Sequence, residues 1–458
     1  MKSLDMLDEI EQLESYDHRS GMDYIKRFDI ELEKEVYYAG EKLKGHVLVE
    51  NIENIKIKGI RVNLRGKAHV EWKIMRSGER RTVKEDHHFL EDKAVVWGKG
   101  RNNHHHVVPL ESKDEEGSIP ILPRGKHHFP MEFQLPESAL PCSFESKIGT
   151  VRYYLRCVID IPYASPPQGI KYFTIIGPHI DCMDERFLSA MSAEDHRNAC
   201  CLCCGKGPVS LSATLARSAY CCGENMKLKC EIQNGSDENV WVICRLIQYV
   251  EYFINKGVLG LSKEIHHRVW EYKGPTVEPH HTQKCDDLYK HLQVPVMPTT
   301  VVDVCKVLQI YYVLRVSLGQ EKSGENLEID FPLTIATVPF RISNTPSPEL
   351  EYQPAAPNVE GGIYISPEFQ LGQVYDGTET GDDVILYRPI YVCVPHEKMT
   401  VTNSNNAGQI VAEQVTSSST KMTSDKELTL ELEKELTIGK DFEVPEEKEI
   451  TEERTTTV

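Results

Sequence analysis

One stretch of this chain occurs twice, and that repeat limits the folds open to it. Tyr37-Tyr38-Ala39-Gly40-Glu41, followed by Val47, Val49 and Asn51, returns as Tyr220-Cys221-Cys222-Gly223-Glu224, followed by Ile232 and Asn234; each match lies 183 positions downstream. A second set matches at 159 positions: Leu135-Pro136 with Val294-Pro295, and Val151, Tyr153, Leu155 and Arg156 with Ile310, Tyr312, Leu314 and Arg315. The two offsets describe two copies of one unit, the first longer by 24 residues in its middle. A repeat of this length marks duplicated domains, not a solenoid.

Each copy reads as all-β. Ile60, Val62 and Leu64 alternate with Arg61, Asn63 and Arg65, and Ala68, Val70 and Trp72 extend the pattern. Tyr153, Leu155, Cys157 and Ile159 do the same, as do Ile310, Tyr312, Leu314, Val316 and Leu318. A period of two places one face on a core and the other in water. Gly40, Gly45, Gly66, Gly125, Pro130, Gly223 and Pro298 punctuate these runs, and no long helical pattern interrupts residues 24–342. Two tandem antiparallel β-sandwiches are expected. The additional residues of copy one are expected between Trp72 and Pro120, a polar stretch rich in His and Lys.

Charge marks where folding is expected to stop. Of the net −18, residues 1–23 contribute −5 and residues 343–458 contribute −14, leaving residues 24–342 at +1. The expected organisation is an acidic extension (1–23), a first sandwich (24–178), a connector with a cysteine cluster (179–207), a second sandwich (208–342) and a disordered acidic tail (343–458). The tail is rich in Thr, Ser, Glu, Asn and Pro, a composition that does not offset chain entropy by burial. The acidic opening residues have no apolar signal-peptide core, and no run of 18 apolar residues occurs. With 14 cysteines and no secretory context, a reducing cytoplasm is expected.

No nucleophile elbow, phosphate-binding glycine loop, zinc-protease helix or kinase signature is present, so the chain is not expected to be an enzyme, and no catalytic residue, cofactor or metal is assigned. Cys200, Cys201, Cys203 and Cys204 have half-knuckle spacing without a matching second half. They are assigned as structural thiols of the connector or as sites of acylation at a membrane. No nucleic-acid partner is expected.

The ordered motifs FDIELEKEVYYAGEKLKGHV (28–47), IKGIRVNLRGKAHVEW (57–72), LPRGKHHFPMEFQLP (122–136), FESKIGTVRYYLRCVID (144–160), CCLCCGKGPVSLSATLARSAYCCGE (200–224) and VPVMPTTVVDVCKVLQIYYVLRV (294–316) resemble the α-arrestins, the arrestin-domain-containing family related to thioredoxin-interacting protein. The resemblance covers about residues 25–342 and implies two arrestin-type, immunoglobulin-like sandwiches. It also implies a cytoplasmic adaptor, peripheral at the plasma membrane or endosomes, that takes membrane cargo to sorting machinery or to HECT-type ubiquitin ligases. Family members recruit such ligases through PPxY motifs read by WW domains. Here the one double proline, Pro166-Pro167, lacks a following tyrosine, and Arg388-Pro389-Ile390-Tyr391 keeps only the second proline and the tyrosine. Pro389 and Tyr391 are therefore the candidate, degenerate WW contact.

Other tail segments invite readers of their own. Tyr387-Arg-Pro-Ile390 and Tyr391-Val-Cys-Val394 fit the tyrosine-x-x-apolar sorting pattern, and Thr456-Thr457-Val458 fits a PDZ ligand, with Thr456 and Val458 as its contacts. The resemblance also raises two alternatives. One is a thioredoxin-binding redox regulator, with Cys285 in the stretch where thioredoxin-interacting protein carries its reactive cysteine; Asp286 and Asp287 beside it are expected to raise its pKa. The other is a structural coat component with an arrestin fold. Visual and β-arrestins sense phosphate through buried charges between their domains. No such cluster is identifiable in this sequence, so phosphate sensing is not expected.

Overall fold

The repeated alternation becomes two sandwiches of matching strand order. The computed structural model describes residues 24–98, 119–162, 165–197, 207–257, 260–321, 324–342, 344, 346–362, 364–369 and 387–395. In the first sandwich β1 (Ile25–Leu32), β3 (Lys42–Asn51) and β8 (Gly125–Gln134) make one sheet. The other runs β2 (Val36–Tyr38), β11 (Gln168–Ile176), β10 (Gly149–Asp160), β5 (Gly59–Arg76) and β6 (Glu79–Gly98), with β9 (Phe144–Glu145) also pairing with β10. A short pair, β4 (Ile55–Lys56) and β7 (Ile121–Leu122), closes one corner.

The second sandwich repeats that plan. Its larger sheet runs β14 (Ala219–Tyr220), β20 (Gly324–Ile335), β19 (Leu308–Gln320), β16 (Val240–Ile254) and β17 (Leu261–Val277). The facing sheet contains β13 (Val209–Leu215), β15 (Leu228–Asn234) and β18 (His281–Cys285), with β12 (Met191–Arg197) added at the edge. Even the single parallel pairing recurs, β2 on β11 and β14 on β20. The inserted residues of copy one fall after β6: residues 99–124 separate β6 from β8, whereas residues 278–280 separate β17 from β18.

The duplication reaches individual contacts. Gly40 and Gly223 both hold left-handed turns, at φ +80° and +89°, open to glycine without Cβ strain. One residue on, Glu41 accepts from the Tyr38 amide and Glu224 from the Cys221 amide. Each carboxylate pairs with a cation lying over the preceding tyrosine ring, Lys34 over Tyr37 and Arg217 over Tyr220. Asn51 and Asn234 each donate from Nδ2 to loop carbonyls, and the buried hydroxyls of Tyr153 and Tyr312 donate to the Pro141 and Pro298 carbonyls. Such buried polar groups cost free energy unless bonded, so the copies keep the bonds along with the residues.

The two copies share a continuous apolar core to which both contribute, and Ser146 bonds Tyr252 across them at 2.8 Å. The connector runs along the segment that follows β20: the Ile180 amide donates to Thr337, and Asp181 pairs with Arg341 at 2.7 Å. No helix among the described residues is long and apolar enough to cross a membrane.

Candidate functional site

Residues beyond the second sandwich fold back onto both copies. Here the structure differs from the expected tail: residues 346–362, 364–369 and 387–395 carry defined structure, and the rest of 343–458 lies almost entirely outside the described residues. β21 (Glu351–Pro354) pairs antiparallel with β22 (Ile390–Cys393), setting Gln353 opposite Tyr391. The acidity averaged over 116 residues conceals the local run Ile390-Tyr391-Val392-Cys393-Val394, whose burial drives this segment inward.

The segment touches each copy in turn. The Ala356 amide donates to the Val296 carbonyl, and Glu360 is fixed by Gln248 through its main chain and by His267 through its carboxylate, at 2.8 Å. Those are contacts to the second sandwich. The chain then crosses to the first: Phe369 packs edge-on to Tyr172 and Tyr387, at 4.9 and 5.3 Å. Tyr387 donates to the Phe173 carbonyl and Tyr391 to the Ser143 carbonyl, at 3.4 and 3.0 Å. It returns to the second sandwich at Cys393, whose main chain lies parallel to that of Cys222 in a single β-bridge, both thiols being free, and the Val394 amide donates to the Cys222 carbonyl.

A charge cluster sits under this crossing. Arg152, on β10, grips both oxygens of Glu145, on β9, at 2.5 and 2.8 Å, and also bonds Glu368 from the folded-back segment. The Phe369 ring lies 4.8 Å from the same guanidinium. Side-chain exposure is 2% for Glu145, 8% for Arg152 and 15% for Glu368, so one cation holds two carboxylates nearly out of water. Burial pushes Glu145 above its ordinary value, with Arg152 pulling against it. No sequence signal marks this cluster, because its members come from separate elements and one lies 216 positions from Arg152.

The candidate partner residues fare differently. Tyr391 is 1% exposed and Pro389 is buried. A WW domain grips a proline and a tyrosine ring from outside, and the protein's own core already holds both. The two tyrosine-x-x-apolar segments share that fate, because Tyr387 is buried as well. Thr456, Val458, Cys200, Cys201, Cys203 and Cys204 lie outside the described residues.

Cys285 is buried on β18 opposite Cys230. Burial, then Asp287 and Asp286, raise its pKa, the reverse of what a reactive thiol requires. Neighbouring Cys244 is pushed up to about 12 by burial. Cys182, Cys221 and Glu224 place donor atoms within 4.8 Å of one another, the one grouping of metal-ligand type among the described residues. The Glu224 carboxylate there already accepts from the Cys221 and Phe340 amides and pairs with Arg217. Glu41 makes the corresponding turn in the first copy without any cysteine, so the turn accounts for Glu224.

Both halves match known domain families: residues 27–181 the arrestin (or S-antigen) N-terminal domain, and residues 205–340 the arrestin C-terminal domain. Arrestin domain-containing protein 4 of Mus musculus is 27% identical over 313 residues, covering 67% of this chain and 70% of that protein. Arrestin domain-containing protein 17 of Caenorhabditis elegans is 25% identical over 317 residues, 67% of this chain and 68% of that protein. Thioredoxin-interacting protein of Sus scrofa is 23% identical over 316 residues, 68% and 75% respectively. With both sandwiches matched in order, the chain belongs to the α-arrestin family.

Proposed function

We propose that this chain is a non-catalytic adaptor that couples membrane proteins to sorting or ubiquitination machinery. The observation that carries it is the ordered match to both arrestin domains across residues 27–340. The chemistry of the described residues agrees with work done by surfaces. Their cysteines are all buried, and the buried carboxylate at the crossing, Glu145, is held by Arg152. Cargo is taken by the sandwiches, and accessory partners by segments outside them. Thr456 and Val458 serve a PDZ scaffold, and Pro389 with Tyr391 serve a WW-bearing ligase once they leave the core. The site of action is the cytoplasmic face of the plasma membrane or endosomes. The buried, acid-flanked Cys285 speaks against thioredoxin exchange through that thiol.

The test is a surface-protein census in cells lacking the chain, with and without its re-expression. The proposal expects a defined set of integral membrane proteins to persist longer at the surface and carry less ubiquitin, both reversed by re-expression. Unchanged surface half-lives throughout would sink it.

A further inference from the structure

We infer that residues 346–362, 364–369 and 387–395 form a strap that closes over both sandwiches, and that its tyrosine motifs become readable only when the strap lifts. The strap is built to close. Phe369 and Tyr391 are 1% exposed, and Val392 and Cys393 are buried with them. Tyr391 is anchored on the first copy, and Val394 on the second. Arg388 donates to the Gly362 carbonyl, tying residues 387–395 to residues 346–362.

The strap is also built as a separable layer. Among the described residues its only ladder, β21 on β22, is internal to it; it meets the body through side-chain plugs and single main-chain bonds, and no strand of either large sheet is interrupted by it. Elements with so few ladder bonds open at lower free energy than the strands beneath them. Capture of Arg388-Pro389-Ile390-Tyr391 by any external domain and closure of the strap use the same buried atoms, so they exclude one another.

The duplication supplies a matched test. A Cβ added at Gly223 would lie 2.1 Å from the Val394 carbonyl oxygen, directly under the strap. At its twin Gly40, with nearly the same left-handed φ, the nearest atom is a Glu137 side-chain carbon at 3.5 Å. Gly40→Ala therefore carries the backbone strain alone, and Gly223→Ala carries the same strain plus ejection of the strap.

The experiment measures alkylation of individual cysteines in the full chain by mass spectrometry, together with binding of an antibody fragment raised against a synthetic 387–395 peptide. In the wild type and in Gly40→Ala, Cys393 should react about 100-fold or more slower than in the unfolded chain, and the fragment should not bind. Gly223→Ala should speed Cys393 labelling by about tenfold or more and admit the fragment, while Cys157 and Cys244 stay protected. Phe369→Ala lifts the strap from its other end and serves where Gly223→Ala does not fold. The inference is overturned if wild-type Cys393 labels like an unfolded thiol or the fragment binds the wild type. It is equally overturned if Cys393, Cys157 and Cys244 become reactive together at one rate, or if both opening variants leave Cys393 protected.

Discussion

Replacing Arg152 by Met keeps the length of the side chain and removes the charge that Glu145 and Glu368 share. Glu145 is then a buried carboxylate with no cation, and Glu368 loses its hold on β10. Breaking a buried ion pair by deleting one partner costs about 3–5 kcal/mol, and the low exposure of Glu145 and Arg152 places this case inside that range. Neutralising the acids as well, in Arg152→Met with Glu145→Gln and Glu368→Gln, should recover most of the loss, since an apolar or neutral replacement of a buried pair is often close to neutral. The defect should also depend on pH. Glu145 already lies above its ordinary 4.5 because of burial, and it rises further without Arg152. A carboxyl raised in the folded state favours folding below its unfolded pKa, and that support is lost as pH climbs to the folded value. The Arg152→Met deficit should therefore be largest near pH 7.5 and shrink toward pH 5. Urea unfolding at those two pH values measures it. A single variant as stable as wild type, or a deficit equal at both pH values and unrepaired by neutralising the acids, would refute the reasoning.

Further outcomes are expected on the same physical grounds. Tyr391→Phe deletes one hydrogen bond to the Ser143 carbonyl and should cost about 1 kcal/mol, whereas Tyr391→Ala empties a ring-sized site and should cost about 3–5 kcal/mol in urea unfolding. Cys285 should be alkylated at pH 7.5 more slowly than any exposed thiol, and Cys285→Ser should leave thioredoxin binding, if any is measured, unchanged. Burial opposes the charge on Asp181, but Arg341 and the Met183 amide outweigh it and hold the carboxyl below its ordinary 3.8. That support is present above pH 3.8 and lost as pH falls through the folded value. Arg341→Gln should lower stability across the neutral region and flatten the acid limb of a stability–pH curve, the difference from wild type closing as pH falls below the folded value.

The two sandwiches were legible in the sequence because their determinants are local and doubled. Alternation at Ile60–Val62–Leu64 and at Tyr153–Leu155–Cys157 reports one buried face, and the 183- and 159-residue offsets report the copy. Contacts such as Lys34–Glu41 and Arg217–Glu224 follow the same offset. The strap was less legible. Its composition averaged with 397–458 reads as solvated chain, and the pockets that receive Phe369, Tyr387 and Tyr391 are lined by Arg152, Tyr172, Phe173 and Ser143, some two hundred positions away. The apolar run 390–394 was the available signal. Its tyrosine spacing also matches partner-binding motifs, and burial in the chain's own core competes with that use.

The most direct test of the account is hydrogen exchange across the full chain, comparing the backbone amides of residues 387–394 with those of β10, β16 and an isolated 387–395 peptide. The account predicts strong protection of Tyr391 to Val394 in the intact chain, weaker than β10 and β16 but far above the peptide. Exchange at the peptide's rate would mean that the tyrosine motifs stand free, and the closed strap would have to be abandoned.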